Sequence, residues 1–213
     1  MKILITAGPT REPIDPVRFI TNRSSGKMGY ELAAEFSRLG HSVLLISGPC
    51  SIPIPDGVDF LPVETAAEMY QAVEDYISTR QVAIFAAAVA DYTVASVASQ
   101  KIKKSADSYS LNLVKTKDIL GSARSQFQFK GTLVGFAAET ENLIDNAQTK
   151  LTKKQCDLIV ANDVSQPGIG FDSDHNEVIL VYPDRIAPLP MASKHELAHQ
   201  IAHHILQLTP SHS

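Results

Sequence analysis

The chain has 213 residues, 44% apolar and 20% charged, with a formal net charge of −4. That size and balance suit one large α/β domain with a sizeable core and exclude a disordered or fibrous chain. Two cysteines, Cys50 and Cys156, are too few for a disulfide framework and favour a reducing cytoplasm, and the longest apolar run, Val82 to Ala90, is far too short to span a bilayer.

A β-rich run at Ile3–Thr6 opens the chain. Only four apolar residues follow Lys2, without a small-residue cleavage site, which is not a secretory leader. The run ends in Ala7-Gly8-Pro9-Thr10, and a helical pattern follows from Ser25 to Leu39, with Met28, Leu32, Ala33 and Phe36 on one face and Gly40 as its stop. Further strand-like runs occupy Ser42–Ile46, Phe60–Val63, Val82–Ala87, Leu133–Ala137, Leu158–Ala161 and Val178–Tyr182. Helical patterns lie near Ala66–Ser78, Glu141–Lys154 and Lys194–Leu208. This alternation predicts a Rossmann-like three-layer α/β/α fold with a mainly parallel sheet, residues 1–213 forming a single domain. The polar, lysine-rich stretch at 92–117 breaks the rhythm and reads as an inserted flap or dimerisation arm, with Tyr109–Val114 alternating like an exposed hairpin strand.

The last helix opens on Ser193-Lys194-His195-Glu196, a capping box. His195, His199 and His203 recur every four residues, but they lie opposite the stripe of Leu197, Ile201 and Ile205 and should face water. Cys156 precedes Leu158-Ile159-Val160 and reads as core; Cys50, after Gly48-Pro49, sits in a loop. Neither supports cysteine chemistry.

Between Asn22 and Gly29 the chain reads Asn-Arg-Ser-Ser-Gly-Lys-Met-Gly, at the expected strand-to-helix turn. Small residues there let backbone N–H groups approach a phosphate, and a helix N-terminus adds partial positive charge. The dinucleotide fingerprint Gly-x-Gly-x-x-Gly is absent, and the second strand ends at Ser47 instead of an acid that would hold a ribose. The P-loop pattern also fails, because Met28 follows Gly26-Lys27 and position 21 is Thr. No Tyr-x-x-x-Lys pair exists. Residues 101–154 hold ten lysines and arginines against five acids, while the remainder holds nine against eighteen. A basic segment in an acidic chain favours a small polyanion over nucleic acid. Three other groups fit that ligand: the small-residue strand end Ala86-Ala87-Ala88-Val89-Ala90 closing on Asp91, the run Lys101-Ile102-Lys103-Lys104, and Lys150 with Lys154 on one helix face.

These residues carry a resemblance to a family. Ile5–Thr10 and Asp15–Gly29, followed in order by Ala86–Asp91, Lys101–Lys104, Val134–Thr140 and Ile159–Val164, closely resemble phosphopantothenoylcysteine synthetase across essentially the whole chain. The resemblance implies a ligase of coenzyme A synthesis. It would activate the carboxylate of 4′-phosphopantothenate with CTP and Mg²⁺, then form an amide with L-cysteine. By the same resemblance Lys101 serves the activation step and Asn22 the amide-forming step. Gly8, Ser24, Gly26, Gly29, Lys150, Lys154, Phe136 and Asn162 resemble nucleotide contacts. Ala86, Ala87, Ala88 and Asp91 lie where the family holds nucleotide or phosphopantothenate. Lys117, Asp118, Ile119 and Leu120 align with another nucleotide-contacting stretch, although Lys117 departs from a proline common there. Arg18 resembles an arginine that reaches substrate from a neighbouring protomer, which implies a homodimer. Many bacterial members carry a flavin-dependent decarboxylase ahead of this region. Here Met1 stands just before the first strand, so neither flavin nor decarboxylation is expected, and a separate decarboxylase is a conceivable partner. The alternatives are the same ligase using ATP, an NAD(P)-dependent oxidoreductase, or a non-catalytic nucleotide sensor.

Overall fold

The computed structural model describes residues 1–104, 108–163 and 174–209. Strand β1 (Lys2–Ala7) leads through β2 (Arg11–Pro13) and β3 (Phe19–Thr21) into helix α1 (Lys27–Arg38). Next come β4 (Ser42–Ser47), β5 (Val58–Pro62), α2 (Ala66–Ile77) and β6 (Val82–Phe85). The small strands β7 (Tyr92–Val94) and β8 (Leu113–Lys115) precede α3 (Ile119–Ser125), β9 (Thr132–Glu139), α4 (Leu143–Lys154) and β10 (Leu158–Asp163). A hairpin of β11 (His175–Val181) and β12 (Ile186–Ser193) then runs into α5 (Lys194–Leu208).

Among the described residues the main sheet has eight strands in the order β12-β11-β10-β9-β6-β1-β4-β5. Pairings from β10 across to β5 are parallel, and β11 and β12 extend one edge antiparallel. The six parallel strands follow the doubly wound order, and the chain changes direction across the sheet between β1 and β6. The expected Rossmann-like α/β fold is therefore the one observed.

Successive side chains of a strand face opposite ways, and both faces here are apolar. Ile3 and Ile5 of β1 join Leu32 and Phe36 of α1 and Leu197, Ile201 and Ile205 of α5. Leu4 faces the other layer, with Met69 and Val73 of α2, Ile119 of α3 and Leu151 of α4. Each fully buried Leu, Ile or Phe contributes about 1.5–3 kcal/mol, so these two cores hold the helices against the sheet. The expected capping box at Ser193 and Glu196 is present, and a second one links Thr65 and Glu68 at the start of α2.

Several boundaries differ from the sequence reading. Helix α1 begins at Lys27, because Gly26 adopts φ +81° and ends the helix there. Strand β8 covers only Leu113–Lys115 and pairs with β7 in a separate two-stranded sheet. Alternation alone does not say which residues of Tyr109–Val114 find a partner. Strand β12 carries Pro188 and Pro190, which hide it from a periodicity argument but are tolerated at a sheet edge. Helix α3 spans seven residues, too short for its period to stand out. His195 and His199 keep 71% and 62% of their side-chain surface, yet each also meets a carboxylate of α1, Glu31 at 3.1 Å and Glu35 at 2.8 Å. Their spacing thus belongs to the α1–α5 contact. No described helix is long and apolar enough to cross a membrane.

Candidate active site

A cleft of about 860 Å³ opens at the carboxyl edge of the sheet, beside the switch point. The β6 end lines it with Phe85, Ala87 and Val89, and β9 with Phe136 and Glu139. The end of β8 adds Lys115, the connection after it Thr116 and Lys117, and α3 with its cap Asp118, Ile119 and Leu120. Helix α4 closes the side with Asn146, Thr149, Lys150, Lys153 and Lys154. The lysines outnumber the lining carboxylates of Asp91, Asp118 and Glu139, so the cleft favours an anion.

The two lysines four apart on α4 differ in environment. Lys150 Nζ donates to the carbonyl of Phe136 at 2.7 Å. Burial is the main reason its pKa falls below the usual lysine value. Lys154 pairs instead with Asp118 Oδ2, while Oδ1 of that carboxylate accepts from Gly121 N at 2.9 Å and caps α3. Burial pushes the Asp118 carboxyl up, but Lys154 and the Gly121 N–H outweigh it and hold it below the ordinary range. Asp118 thereby joins α3 to α4 at the cleft. Lys117 Nζ stands 4.2 Å from the ring centre of Tyr70.

The loop after β6 crosses the switch point. Ala88 N donates to Gly8 O at 2.9 Å, and Ala86 N to Thr6 O at 3.1 Å. Asn22 is drawn to the same loop, its Nδ2 donating to Ala88 O at 3.0 Å and Val89 O at 3.3 Å. Thr10 Oγ1 accepts from Ala90 N at 3.0 Å, and Thr116 Oγ1 donates to Ala90 O at 2.6 Å. Ala87, Val89 and Asp91 of this loop line the cleft, whereas Asn22, Ala86 and Ala88 do not line it, and Asn22 is tied to the loop through the Ala88 and Val89 carbonyls.

The turn ahead of α1 packs against β1. Ser24 Oγ accepts from Gly26 N at 3.2 Å. Gly26 combines φ +81° with crowding: a Cβ there would sit 2.5 Å from Cys50 Sγ and 3.1 Å from Gly8 Cα. Only glycine suits that position. Gly29 lies inside, where a Cβ would stand 2.5 Å from that of Ala7, so its small size brings α1 close to β1. Cys50 is half-buried and its thiol is pushed up by burial; Cys156 is buried and pushed up to about 12. Neither environment makes a thiolate.

Of the expected site residues, Ala87, Asp91, Lys117, Asp118, Ile119, Leu120, Phe136, Lys150 and Lys154 line the cleft, whereas Gly8, Arg18, Asn22, Ser24, Gly26, Gly29, Ala86, Ala88, Lys101 and Asn162 do not. Lys101 is exposed on the run that precedes Ile102, and Arg18 Nη2 reaches the Ile102 carbonyl at 2.5 Å. Asn162 is buried in β10 opposite Ala138. Val164, the last residue of the block Ile159–Val164, lies outside the described residues, as do 105–107 of the stretch 92–117.

Comparison with known proteins gives the chain a family. A family model described as the DNA/pantothenate metabolism flavoprotein C-terminal domain matches residues 1–208. The chain belongs to that family. It is 48% identical over 208 residues to the coenzyme A biosynthesis bifunctional protein CoaBC of Vibrio vulnificus (strain YJ016), covering 97% of this chain and 52% of that one. With the CoaBC protein of Escherichia coli (strain K12) it shares 47% identity over 197 residues, 91% of this chain and 48% of that one. The chain thus spans about half the length of the curated relatives it matches. A crystal structure of the C-terminal domain of CoaBC superposes with a TM-score of 0.83 at 40% identity, covering 97% of this chain and 94% of that one. The resemblance stated from the sequence is borne out.

Within this flavoprotein C-terminal domain fold, several positioning residues carried no sequence signal. Thr10 and Thr116 are ordinary loop threonines until the fold brings them to Ala90. Asp15 lies in a recognised block, but its partner Ile102 is 87 residues away. Lys115 and Lys153 line the cleft beside lysines that were singled out.

Proposed function

We propose that this chain is a phosphopantothenate–cysteine ligase of coenzyme A synthesis, using CTP. The observation that carries this reading is a lysine-rich cleft at the switch point of a doubly wound sheet, with Asn22 bonded to the loop that lines it, in a chain close to coenzyme A biosynthesis proteins. An oxidoreductase reading is weaker: β4 ends on Ser47, whose hydroxyl meets Tyr30 at 3.2 Å, where a dinucleotide site needs an acid for the ribose.

The reaction brings one anion to another. The phosphopantothenate carboxylate oxygen attacks the α-phosphorus of the nucleotide, the Pα–O–Pβ bond breaks, and pyrophosphate leaves. Lys101, Lys150 and Lys154 neutralise the phosphates and align them with the carboxylate. The cysteine amine then attacks the acyl carbon, the C–O bond to the nucleotide phosphate breaks, CMP leaves, and the nitrogen releases its proton to solvent. Asn22 orients the acyl-nucleotide: its NH₂ is engaged by Ala88 and Val89, so Oδ1 serves as the ligand-facing acceptor. Phe136 offers an aromatic surface to the base, and the backbone of Gly8, Ser24 and Gly26 approaches the phosphates.

Among the described residues no three His, Cys, Asp or Glu converge to hold a metal alone. Mg²⁺ does not require such a cluster, since it binds through one or two carboxylates plus substrate phosphates. Asp91 and Glu139 are the cleft carboxylates suited to it, and the ion would supply charge neutralisation at the phosphates.

A homodimer is supported by apolar side chains exposed around the β7–β8 hairpin and beside Arg18: Tyr92, Tyr109, Leu113, Val114, Val17 and Phe19. The bifunctional relatives favour a decarboxylase on the same polypeptide over a separate partner. The deciding experiment measures pyrophosphate release with phosphopantothenate and cysteine, comparing CTP with ATP. Release with CTP supports the reading, release with ATP alone reassigns the nucleotide, and no release with either ends it.

A further inference from the structure

Asp15 lies in the turn between β2 and β3, and its side chain is 0% exposed. Its Oδ1 accepts from Val17 N at 2.8 Å and Arg18 N at 2.9 Å, a local turn cap. Its Oδ2 accepts from Ile102 N at 3.1 Å and pairs with Arg18 Nη2 at 2.9 Å. The same Nη2 donates to Ile102 O at 2.5 Å. Both backbone groups of Ile102 are therefore held by one ion pair, and Ala98 N adds a bond to Ile14 O at 3.0 Å. Burial acts to raise the Asp15 pKa, but the Ile102, Val17 and Arg18 N–H donors and the Arg18 charge win, so the carboxylate stays ionised.

Lys101–Lys104 has no regular secondary structure of its own. Its place against the body of the protein must come from contacts with neighbours, and Ile102 is the residue so held. We propose that Asp15 is a positioning residue: with Arg18 it clamps Ile102 and so sets where the adjacent Lys101 ammonium stands for the activation step. This rests on the ligase reading above for the role of Lys101, but the clamp itself does not. A buried, fully bonded carboxylate reaching across 87 residues to one backbone amide is more than a turn needs.

Asp15→Asn tests it. With Oδ1 kept on Val17 and Arg18, an NH₂ replaces Oδ2 and opposes two donors, Ile102 N–H and Arg18 Nη2. Cleavage by trypsin after Lys101 and Lys103 should accelerate at least about tenfold, because a local opening has become easier. Pyrophosphate release should fall about tenfold or more, with the KM for CTP changed less than about twofold. In the Lys101→Gln background Asp15→Asn should add less than about twofold, since both changes act through one group. Unchanged cleavage after Lys101 and Lys103 would overturn the clamp, and a full additive loss of rate would overturn its action through Lys101. Should Asp15→Asn fail to fold, Ile102→Pro removes the clamped N–H from the partly exposed segment; trypsin does not cut a Lys–Pro bond, so this variant is read by cleavage after Lys103 alone and by the same rate outcomes. If the wild-type chain releases no pyrophosphate with CTP or ATP, the ligase reading falls while the trypsin comparison still decides the clamp.

Discussion

The side-chain amide of Asn22 donates to the carbonyl of Ala88 at 3.0 Å, across 66 residues of sequence. With the second bond to Val89 it fixes the amide at the point where the chain crosses between β1 and β6. A carboxylate in its place is nearly the same shape but cannot donate, and it would face two carbonyl oxygens. Asn22→Asp should therefore still consume nucleotide while amide formation falls about 100-fold or more, the scale of losing one well-aimed donor or acceptor. Phosphorus NMR of the quenched reaction should show acyl-nucleotide building up. Amide formed at the wild-type rate would remove Asn22 from the second step.

Lys101 is exposed and, in the proposed alignment of carboxylate and phosphate, brings a positive charge to the activation step. Lys101→Gln should lower pyrophosphate release by about 10²–10³-fold with little change in nucleotide binding. A coupled pyrophosphate assay, read against calorimetric titration with the nucleotide, separates the two quantities. An unaltered rate would strip Lys101 of the role.

Lys150 loses its proton more readily than an ordinary lysine, because burial penalises the ammonium. Nucleotide binding should weaken as pH rises through that lowered pKa, before the range near 10.5 where a solvated lysine titrates. Lys150→Met should raise the KM for nucleotide about tenfold and flatten this alkaline limb, and KM measured against pH checks both. A limb that persists in the variant would assign it to another group.

Glu35 anchors the α1–α5 contact. Arg38 holds its carboxyl in a two-bond fork of 2.8 Å each and His199 adds a third bond, while burial opposes; the pKa falls to about 2. A carboxyl depressed below 4.5 stabilises the fold fully above that pH, and the stabilisation fades as pH falls through about 2. Glu35→Gln should cost about 1–3 kcal/mol at neutral pH, discounted for the exposed partners, and flatten the acid limb of thermal stability. Melting curves at stepped pH test it. An acid limb unchanged in the variant would place the titration elsewhere.

Much of the fold was legible because periodicity speaks where a segment is long and one-sided. The β1, β4 and β6 runs, the stripe of α5 and the Ser193 capping box all carry their pattern locally. Strand β12 was not legible, because Pro188 and Pro190 read as loop until an edge position excuses them. Helix α3 was hidden by its length. The separate lysines of the cleft were visible one by one, but not the different states of Lys150 and Lys154, which depend on what the fold sets beside each.

The sequence by itself determined the alternation of strands and helices, the glycine turn ahead of α1, the basic segment and the motifs that mark the family. These reside in neighbours along the chain, so local sterics and hydrophobic period suffice to express them. Only the tertiary structure decided that Asn22 meets Ala88, that Asp15 grips Ile102, and that Asp118 engages Lys154. Such pairs are separated by tens of residues, and their bonds exist only once packing of the two cores has brought distant backbone into register.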